Sequence, residues 1–442
     1  MYNRRQFIQT LGASGIIALG GCAQSSSPDQ SVTPTNISYN PVGNYPVAIN
    51  EATFGCLVPE SGLPRSIGDA YREGFDLAIE HLNTGGSPLA FWSDLSGAGV
   101  QDRQINSVIR NTASDPGLAQ QQALQSINAD NVQMLTGGIS GSTVTPVLQV
   151  CQRQRVPFLS GTAHTNVPSG QGCTRYGFRE MINARQTAAA LAHFYKRRLS
   201  PQSSIQLLYA DYSWGRTQLR MIEREFSRLD ASVETQSTVP AQTSYREQID
   251  RIPRSTDLLC IIQRGLDATT MLEDISAAGL SSEMELCVPL WSRLTAQSAS
   301  EYLEGVFGTV PWSWQLRNQV SIAFVESFRN QYNHTPTYES LIGYIQPLQY
   351  AAAVERAGTF YPPAVIRQLE NHTYDNAGLG TRERLRKCDH QAIRDIPIVS
   401  GRAVDNQQSD RFFRLETVIN REQTTYDCTE IPASECELGS YS

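Results

Sequence analysis

Short apolar runs alternate with longer amphipathic stretches along this chain, and the alternation passes through twice. In the first pass the runs at 52–58, 104–110, 132–135 and 156–159 read as strands. Between them Tyr71, Phe75, Ala78 and Leu82 recur at the spacing of one helix face, and Ala119, Ala123 and Ile127 mark a second helix. Asn83-Thr84-Gly85-Gly86 stops the first helix, because glycine supplies the left-handed cap that a helix end favours. A helix from about 183 to 199 leads into the second pass, with strands at 205–210, 257–263 and 286–290 and helices at 214–229 and 267–278. Such alternation predicts parallel sheets with helices on both faces. Two passes without a linker predict an α/β protein of two similar lobes joined by short crossings. The β-rich pieces 305–310 and 393–400 are candidate further crossings.

Two of the first-pass runs end in unusual loops. The run at 132–135 continues into Thr136-Gly137-Gly138-Ile139-Ser140-Gly141-Ser142-Thr143, and the run at 156–159 into Ser160-Gly161-Thr162-Ala163-His164-Thr165-Asn166. In a parallel sheet these loops lie at the carboxyl ends of strands, where ligands bind. Their hydroxyls and backbone N–H groups, with a helix N-terminus behind the first loop, favour a small polar or anionic ligand.

At 442 residues, 40% hydrophobic and 18% charged, the chain has material for two cores. A net charge of −7 offers no basic face, so nucleic acid is not an expected partner. No run reaches the roughly 18 consecutive apolar residues of a membrane span. The first 22 residues read as an address. Asn3-Arg4-Arg5-Gln6-Phe7-Ile8 resembles a twin-arginine export signal, and Leu19-Gly20-Gly21-Cys22 resembles the lipobox of bacterial lipoproteins. On that resemblance Cys22 carries a lipid, and the protein is exported and anchored to the membrane, facing the periplasm or cell exterior. Residues 23–46, rich in Ser, Pro, Asn, Thr and Gln, read as a flexible tether.

An ordered series of short motifs then resembles one family. Val58-Pro59-Glu60-Ser61-Gly62, Gly68, Asn83 with Gly85-Gly86, Asp115-Pro116, Gly137 to Thr143 and Val156-Pro157 come first. Asp211-Tyr212-Ser213-Trp214-Gly215, Ala278-Gly279-Leu280, Glu304-Gly305-Val306, Pro311-Trp312, Tyr344, Arg386 and Asp389-His390-Gln391 follow in the same order. The series resembles periplasmic solute-binding proteins of the branched-chain amino acid type, from residue 51 to about 400. The resemblance implies two flavodoxin-like, doubly wound lobes, a three-segment hinge and a ligand cleft between them. The lobes are expected at 51–176 plus 312–385 and at 177–311 plus 386–442.

The resemblance also implies site residues. The carboxylate-holding serine of amino-acid-binding relatives falls on Gly141, flanked by Ser140 and Ser142 and followed by Thr143. The threonine of the next loop falls on His164 or, allowing one insertion, on Thr165, with Thr162 nearby. An aromatic that packs on the ligand falls on Ile67, and its counterpart in the second lobe on Trp214, with Tyr212 beside it. The acidic residue that receives the ammonium group falls on Leu290. Desolvating an ammonium without a carboxylate is costly, so a standard amino acid needs Asp211 or Asp267 as a substitute. An amide, a carboxylate lacking the amine, or an aromatic acid fits as well, and Arg65 is a candidate cation for an anion.

Nine cysteines less Cys22 leave eight, an even number suited to pairing outside the cytoplasm. Cys428 and Cys436, both in a polar tail, are expected to bond to each other. Cys56, Cys260 and Cys287, inside strand-like runs, are expected to be buried free thiols. A hydrolase reading would use Ser140 and the Asp389-His390 pair, but Gly138-Ile139-Ser140-Gly141-Ser142 is not a Gly-x-Ser-x-Gly elbow. The histidines show no metal-ligand spacing, and no phosphate loop or dinucleotide fingerprint occurs, so neither metal nor cofactor is expected. The expectation is therefore a monomeric, non-enzymatic solute-binding component of an ATP-driven importer, docking on permease subunits. The alternative is a sensor of the same fold that presents to a membrane receptor.

Overall fold

In the computed structural model, β1 (Glu51–Val58) is buried on both faces over its second half, as a central parallel strand must be. The structure describes residues 42–61, 65–370, 372–374, 382–407 and 411–441. Cys22, the export-signal resemblance and most of the tether lie outside the described residues. α1 (Arg65–Thr84) buries Tyr71, Phe75, Ala78 and Leu82, the face marked by its apolar spacing. β2 (Gln104–Asn111) leads to α2 (Pro116–Asn128), whose Asp115 cap accepts the Leu118 amide at 2.6 Å. β3 (Met134–Gly137), α3 (Gly141–Gln154), β4 (Phe158–Ser160) and β5 (Gly177–Arg179) complete the first series. Among the described residues these strands form a five-stranded parallel sheet in the order β2-β1-β3-β4-β5, the flavodoxin-like order. It reaches Arg179, three residues beyond the boundary expected at 176.

The second series repeats the plan. α4 (Ala184–Tyr195), β6 (Ser203–Ala210), α5 (Ser213–Phe226), β7 (Ala231–Thr238), α6 (Arg246–Ile249) and β8 (Leu258–Ile262) come first. α7 (Gly265–Ala277), β9 (Glu285–Leu290), α8 (Arg293–Ser298) and β10 (Phe307–Thr309) follow. The parallel order β7-β6-β8-β9-β10 matches the first sheet strand for strand.

The chain then returns to the first lobe through α9 (Gln319–Tyr332), α10 (Tyr338–Ala357), which packs on α1, and α11 (Pro362–Leu369). A small sheet of β11 (Thr373–Tyr374), β12 (Glu383–Leu385) and β13 (Ala392–Ile393) precedes the third passage. β14 (Ile396–Gly401) and β15 (Phe413–Ile419) then add antiparallel strands beyond β10, and α12 (Arg421–Thr424) follows. β7 and β15 escape the sequence pattern for a shared reason. They are edge strands with mostly wet faces, so their sequences carry little apolar alternation.

The tail corrects one expectation. Cys428 and Cys436 do not bond to each other: Cys436 bonds Cys173 and Cys428 bonds Cys388. The tail is not a separate polar excursion, because its two ends are anchored to different parts of the body. Near Cys428, Arg386 donates to the Tyr426 carbonyl, and Tyr426 is buried. Near Cys436, the Tyr176 hydroxyl donates to the Tyr441 carbonyl at 2.9 Å and Arg175 donates to that of Gly439 at 3.1 Å. The last residues thus lie on the first lobe, although the whole tail was expected on the second. Cys56, Cys151, Cys260 and Cys287 are buried free thiols.

Candidate functional site

The first loop is built on two glycines in the left-handed region, Gly137 (φ +102°) and Gly138 (φ +79°). A side chain at 137 would also strike the Leu57 carbonyl, 2.2 Å from its Cβ. Beyond them Ser140 caps α3 in a reciprocal capping box with Thr143, and the Ser140 and Ser142 hydroxyls lie 2.7 Å apart. The second loop is laced to the first: Gly161 N–H donates to the Gly137 carbonyl at 2.6 Å and Thr162 N–H to that of Gly138 at 3.1 Å. Gly141 and Thr165 face each other so closely that a Cβ on Gly141 would meet Thr165 Cγ2 at 2.7 Å.

Buried polar side chains seat both loops. Gln346 of α10 donates to the Ser160 carbonyl at 2.8 Å, and its amide oxygen accepts from Tyr71 and Thr136. Arg179 at the end of β5 donates to the carbonyls of Ala163 (2.8 Å) and Thr165 on one side and of Met181 (3.0 Å) on the other. The Thr162 hydroxyl is buried with no partner among the described residues.

His164 spans the lobes. Its Nε2 lies 2.9 Å from the Thr187 hydroxyl of α4, and Gln218 of α5 donates to its Nδ1 at 3.2 Å. Burial, reinforced by the charges of Arg179 and Arg264, pushes its pKa well below the usual histidine value. A neutral ring protonated on Nε2 satisfies both bonds. Both nitrogens are therefore occupied, which makes His164 a bridge that positions the loop.

In the second lobe α5 starts on Tyr212 and α7 on Arg264, and neither side chain caps its helix. The Tyr212 and Trp214 rings stack at 6.2 Å, the His164 ring lies 6.4 Å from Trp214, and the Arg264 guanidinium sits 5.4 Å from the Trp214 ring. The structure thus gathers Ser140, Gly141, Ser142, Thr143, Thr162 and Thr165 on one side, and joins them through His164 to Tyr212 and Trp214.

Ile67 lies in a crevice with Ser66, Ala70, Thr337, Arg293 and Leu294, drawn from both lobes. Leu290 ends β9 paired with Thr309 and packs into the core. Both proposed acidic substitutes already hold partners. Asp211 is held by Arg216 at 2.7 Å, and Asp267 accepts the Ala241 amide at 2.8 Å and the Tyr245 hydroxyl at 2.6 Å. Arg65 pairs with Asp69 at the surface.

The hydrolase arrangement does not assemble. Ser140 bonds its own loop, whereas His390 stacks on Phe178 at 4.0 Å and lies 2.8 Å from the Gly177 carbonyl. Sequence reading missed Arg264, Gln218, Arg179 and Gln346. Arg264 was within reach, since it stands two residues past the apolar run Leu258–Ile262, at the turn where a second-lobe ligand loop belongs.

Two flavodoxin-like lobes, three passages between them and facing carboxyl-end loops define the type I periplasmic binding protein fold. The chain belongs to the periplasmic binding protein family, whose model matches residues 51–407. A Leu/Ile/Val-binding protein homolog 7 from Brucella abortus (strain 2308) is 25% identical over 169 residues. That stretch spans 37% of this chain and 39% of the relative. An amino acid ABC transporter substrate-binding protein from Pseudomonas fluorescens Pf-5 aligns with a TM-score of 0.76 at 17% identity, over 87% of this chain and 99% of its own. A branched chain amino acid ABC transporter periplasmic ligand-binding protein from Burkholderia xenovorans LB400 aligns with a TM-score of 0.76 at 17% identity, over 84% and 96%. These two structures speak to the fold. No helix among the described residues is long and apolar enough to cross a membrane.

Proposed function

We propose that this protein is the extracytoplasmic solute-binding component of an ATP-driven importer. It takes a small polar ligand, an amino acid, amide or small carboxylate, between its lobes and presents the closed form to permease subunits. The single observation that carries this reading is the pairing of first-lobe loops with Tyr212 and Trp214 across one cleft, bridged by His164. Contacts from both sides favour the closed state by the difference in affinity between closed and open forms. The binding groups are Ser140, Gly141, Ser142, Thr143, Thr162 and Thr165 on one wall and Tyr212 and Trp214 on the other. Ile67 and Leu290 flank them, and His164 positions the second loop. The protein acts as a monomer, without cofactor, metal or catalysis, held to the membrane through a lipid on Cys22.

Thermal unfolding of the purified protein against amino acids, amides and small carboxylates tests the reading. A ligand at 100 times its dissociation constant adds about 2.7 kcal/mol to stability. No stabilisation by any compound overturns solute binding. Cys22→Ser should move the protein from the membrane to the soluble fraction, and an unchanged distribution would end the anchoring proposal.

A further inference from the structure

The cleft carries a cation that the binding scheme above does not use. Arg264 is exposed, and among the described residues it has no hydrogen-bonded or ion-paired partner; its guanidinium lies over the face of Trp214. Its charge reaches across the cleft to His164 and Tyr338 of the first lobe. It also starts α7, whose first amides have no side-chain acceptor, and α5 beside it starts in the same way. Positive helix ends and an unpaired guanidinium favour an anion. Two buried groups lack partners among the described residues: the indole N–H of Trp214, 7% exposed, and the hydroxyl of Thr162, 4% exposed.

The strand ends of the second lobe also carry exposed apolar side chains. Tyr212 (38% exposed), Leu266 (62%) and Val239 (65%) follow β6, β8 and β7, which are neighbours in the sheet. The carboxylates next to Tyr212 and Arg264 in the chain already hold partners: Asp211 pairs with Arg216 at the surface, and Asp267 accepts two bonds on Oδ1. In the crevice that Ile67 lines, Asp69 pairs with Arg65 and Glu73 lies against His334, while burial pushes the Glu339 carboxyl above its usual range.

We propose that the cleft takes an apolar or aromatic carboxylate with no free ammonium group, its carboxylate paired with Arg264 and its carbon skeleton against Tyr212 and Leu266. The inference rests on the solute-binding reading and narrows its ligand class. A zwitterion brings an ammonium toward Arg264 and two positive helix ends, which repel it, and a neutral amide leaves the guanidinium unpaired.

Matched triplets on one skeleton test the charge directly. Leucine, 4-methylpentanoate and 4-methylpentanamide form one set; phenylalanine, 3-phenylpropanoate and its amide form the other. Titration calorimetry on the full-length protein should show at least one acid binding tenfold or more tighter than its zwitterion and amide. Arg264→Gln should weaken that acid by about 10- to 100-fold, the range for losing a charged hydrogen-bond partner. Arg264→Lys should fall between, and both variants should keep the wild-type circular dichroism and melting temperature. Tighter binding of a zwitterion or amide, or R264Q within twofold of wild type for the acid, overturns the inference and leaves solute binding intact. No binding by any of the six also overturns it. A hit elsewhere in the wider panel would then keep the broader reading alive.

Discussion

In the first lobe α3 starts on Ser140, whose hydroxyl takes the Thr143 amide; in the second, α5 and α7 start on Tyr212 and Arg264, which offer their helices no acceptor. The strand orders are the same and the loops occupy equivalent places, yet the chemistry is inverted. The hydroxyl-rich wall has much of its hydrogen bonding satisfied internally, by the capping box and by the Gly161 and Thr162 amides on the glycine turn. The aromatic wall leaves helix amides and a guanidinium open. A loop rich in hydroxyls is therefore not the same as a loop rich in free donors, and the uncapped helix starts and the open guanidinium lie in the lobe that looks less polar in sequence.

The largest expected effect lies where the lobes join. Arg394 is fully buried against Glu180 and 3.9 Å from Glu383, while Gln349 donates to both carboxylates. Burial, then repulsion from Glu180, pushes the Glu383 carboxyl well above its usual range. Arg394→Met leaves buried carboxylates without their cation and should cost about 3–5 kcal/mol in urea unfolding. A loss below 1 kcal/mol would mean that the joint does not bind the lobes together. Next comes the Cys173–Cys436 bond, which ties the segment leaving the second sheet to the first lobe. The double Ser variant should lose about 2–5 kcal/mol, and its calorimetric peak should split as the lobes melt separately. A single unshifted peak would show that the lobes are coupled without the tail.

These features were legible in the sequence to different degrees. The core strands and α1 announce themselves through apolar periodicity, and so does the doubling of the plan. Edge strands β7 and β15 do not, because half-wet strands need little apolar pattern. The glycine turn and the caps could be read, since each is a local backbone requirement. Contacts between distant segments could not. Gln346, Arg394 and His164 reach residues far away in the chain, and no spacing rule reports those. The Cys428–Cys436 expectation failed for the same reason, because proximity in sequence stood in for proximity in space.

A smaller effect separates the lobes by pH. His81, on α1 of the first lobe, has Nδ1 2.8 Å from the Tyr344 hydroxyl and Nε2 3.1 Å from that of Ser327. Burial pushes its pKa down to about 4. In the unfolded chain it titrates near 6.5. Between about 4 and 6.5 the unfolded state therefore binds the extra proton, and stability falls as pH is lowered through that window. Burial acts oppositely on Glu339 and Glu383, whose raised values weaken the fold as pH rises past the unfolded carboxyl value. His81→Asn isolates the histidine: its stability profile between pH 6.5 and 4 should be flatter than wild type. Hydrogen exchange should place the change in α1 and α10, with α5 and α7 unaffected. An identical slope in the variant would assign the acid sensitivity elsewhere.

The smallest effect tests how the hydroxyl-rich wall is assembled. Gly141 is the first residue of α3, and a methyl group there meets Thr165 Cγ2 at 2.7 Å. Alanine is favoured over glycine in a helix by up to about 1 kcal/mol, so Gly141→Ala sets that gain against a clash at the tip of one side chain. Thr165→Ser removes the methyl and keeps the hydroxyl that accepts the Val167 amide at 3.3 Å. The double variant should exceed the sum of the two single effects by about 1 kcal/mol, the scale of coupling between contacting residues. Additivity within about 0.3 kcal/mol would mean that the two loops do not touch in solution. The first wall would then be looser than the second, and the contrast between a self-satisfied lobe and an open one would have to be redrawn.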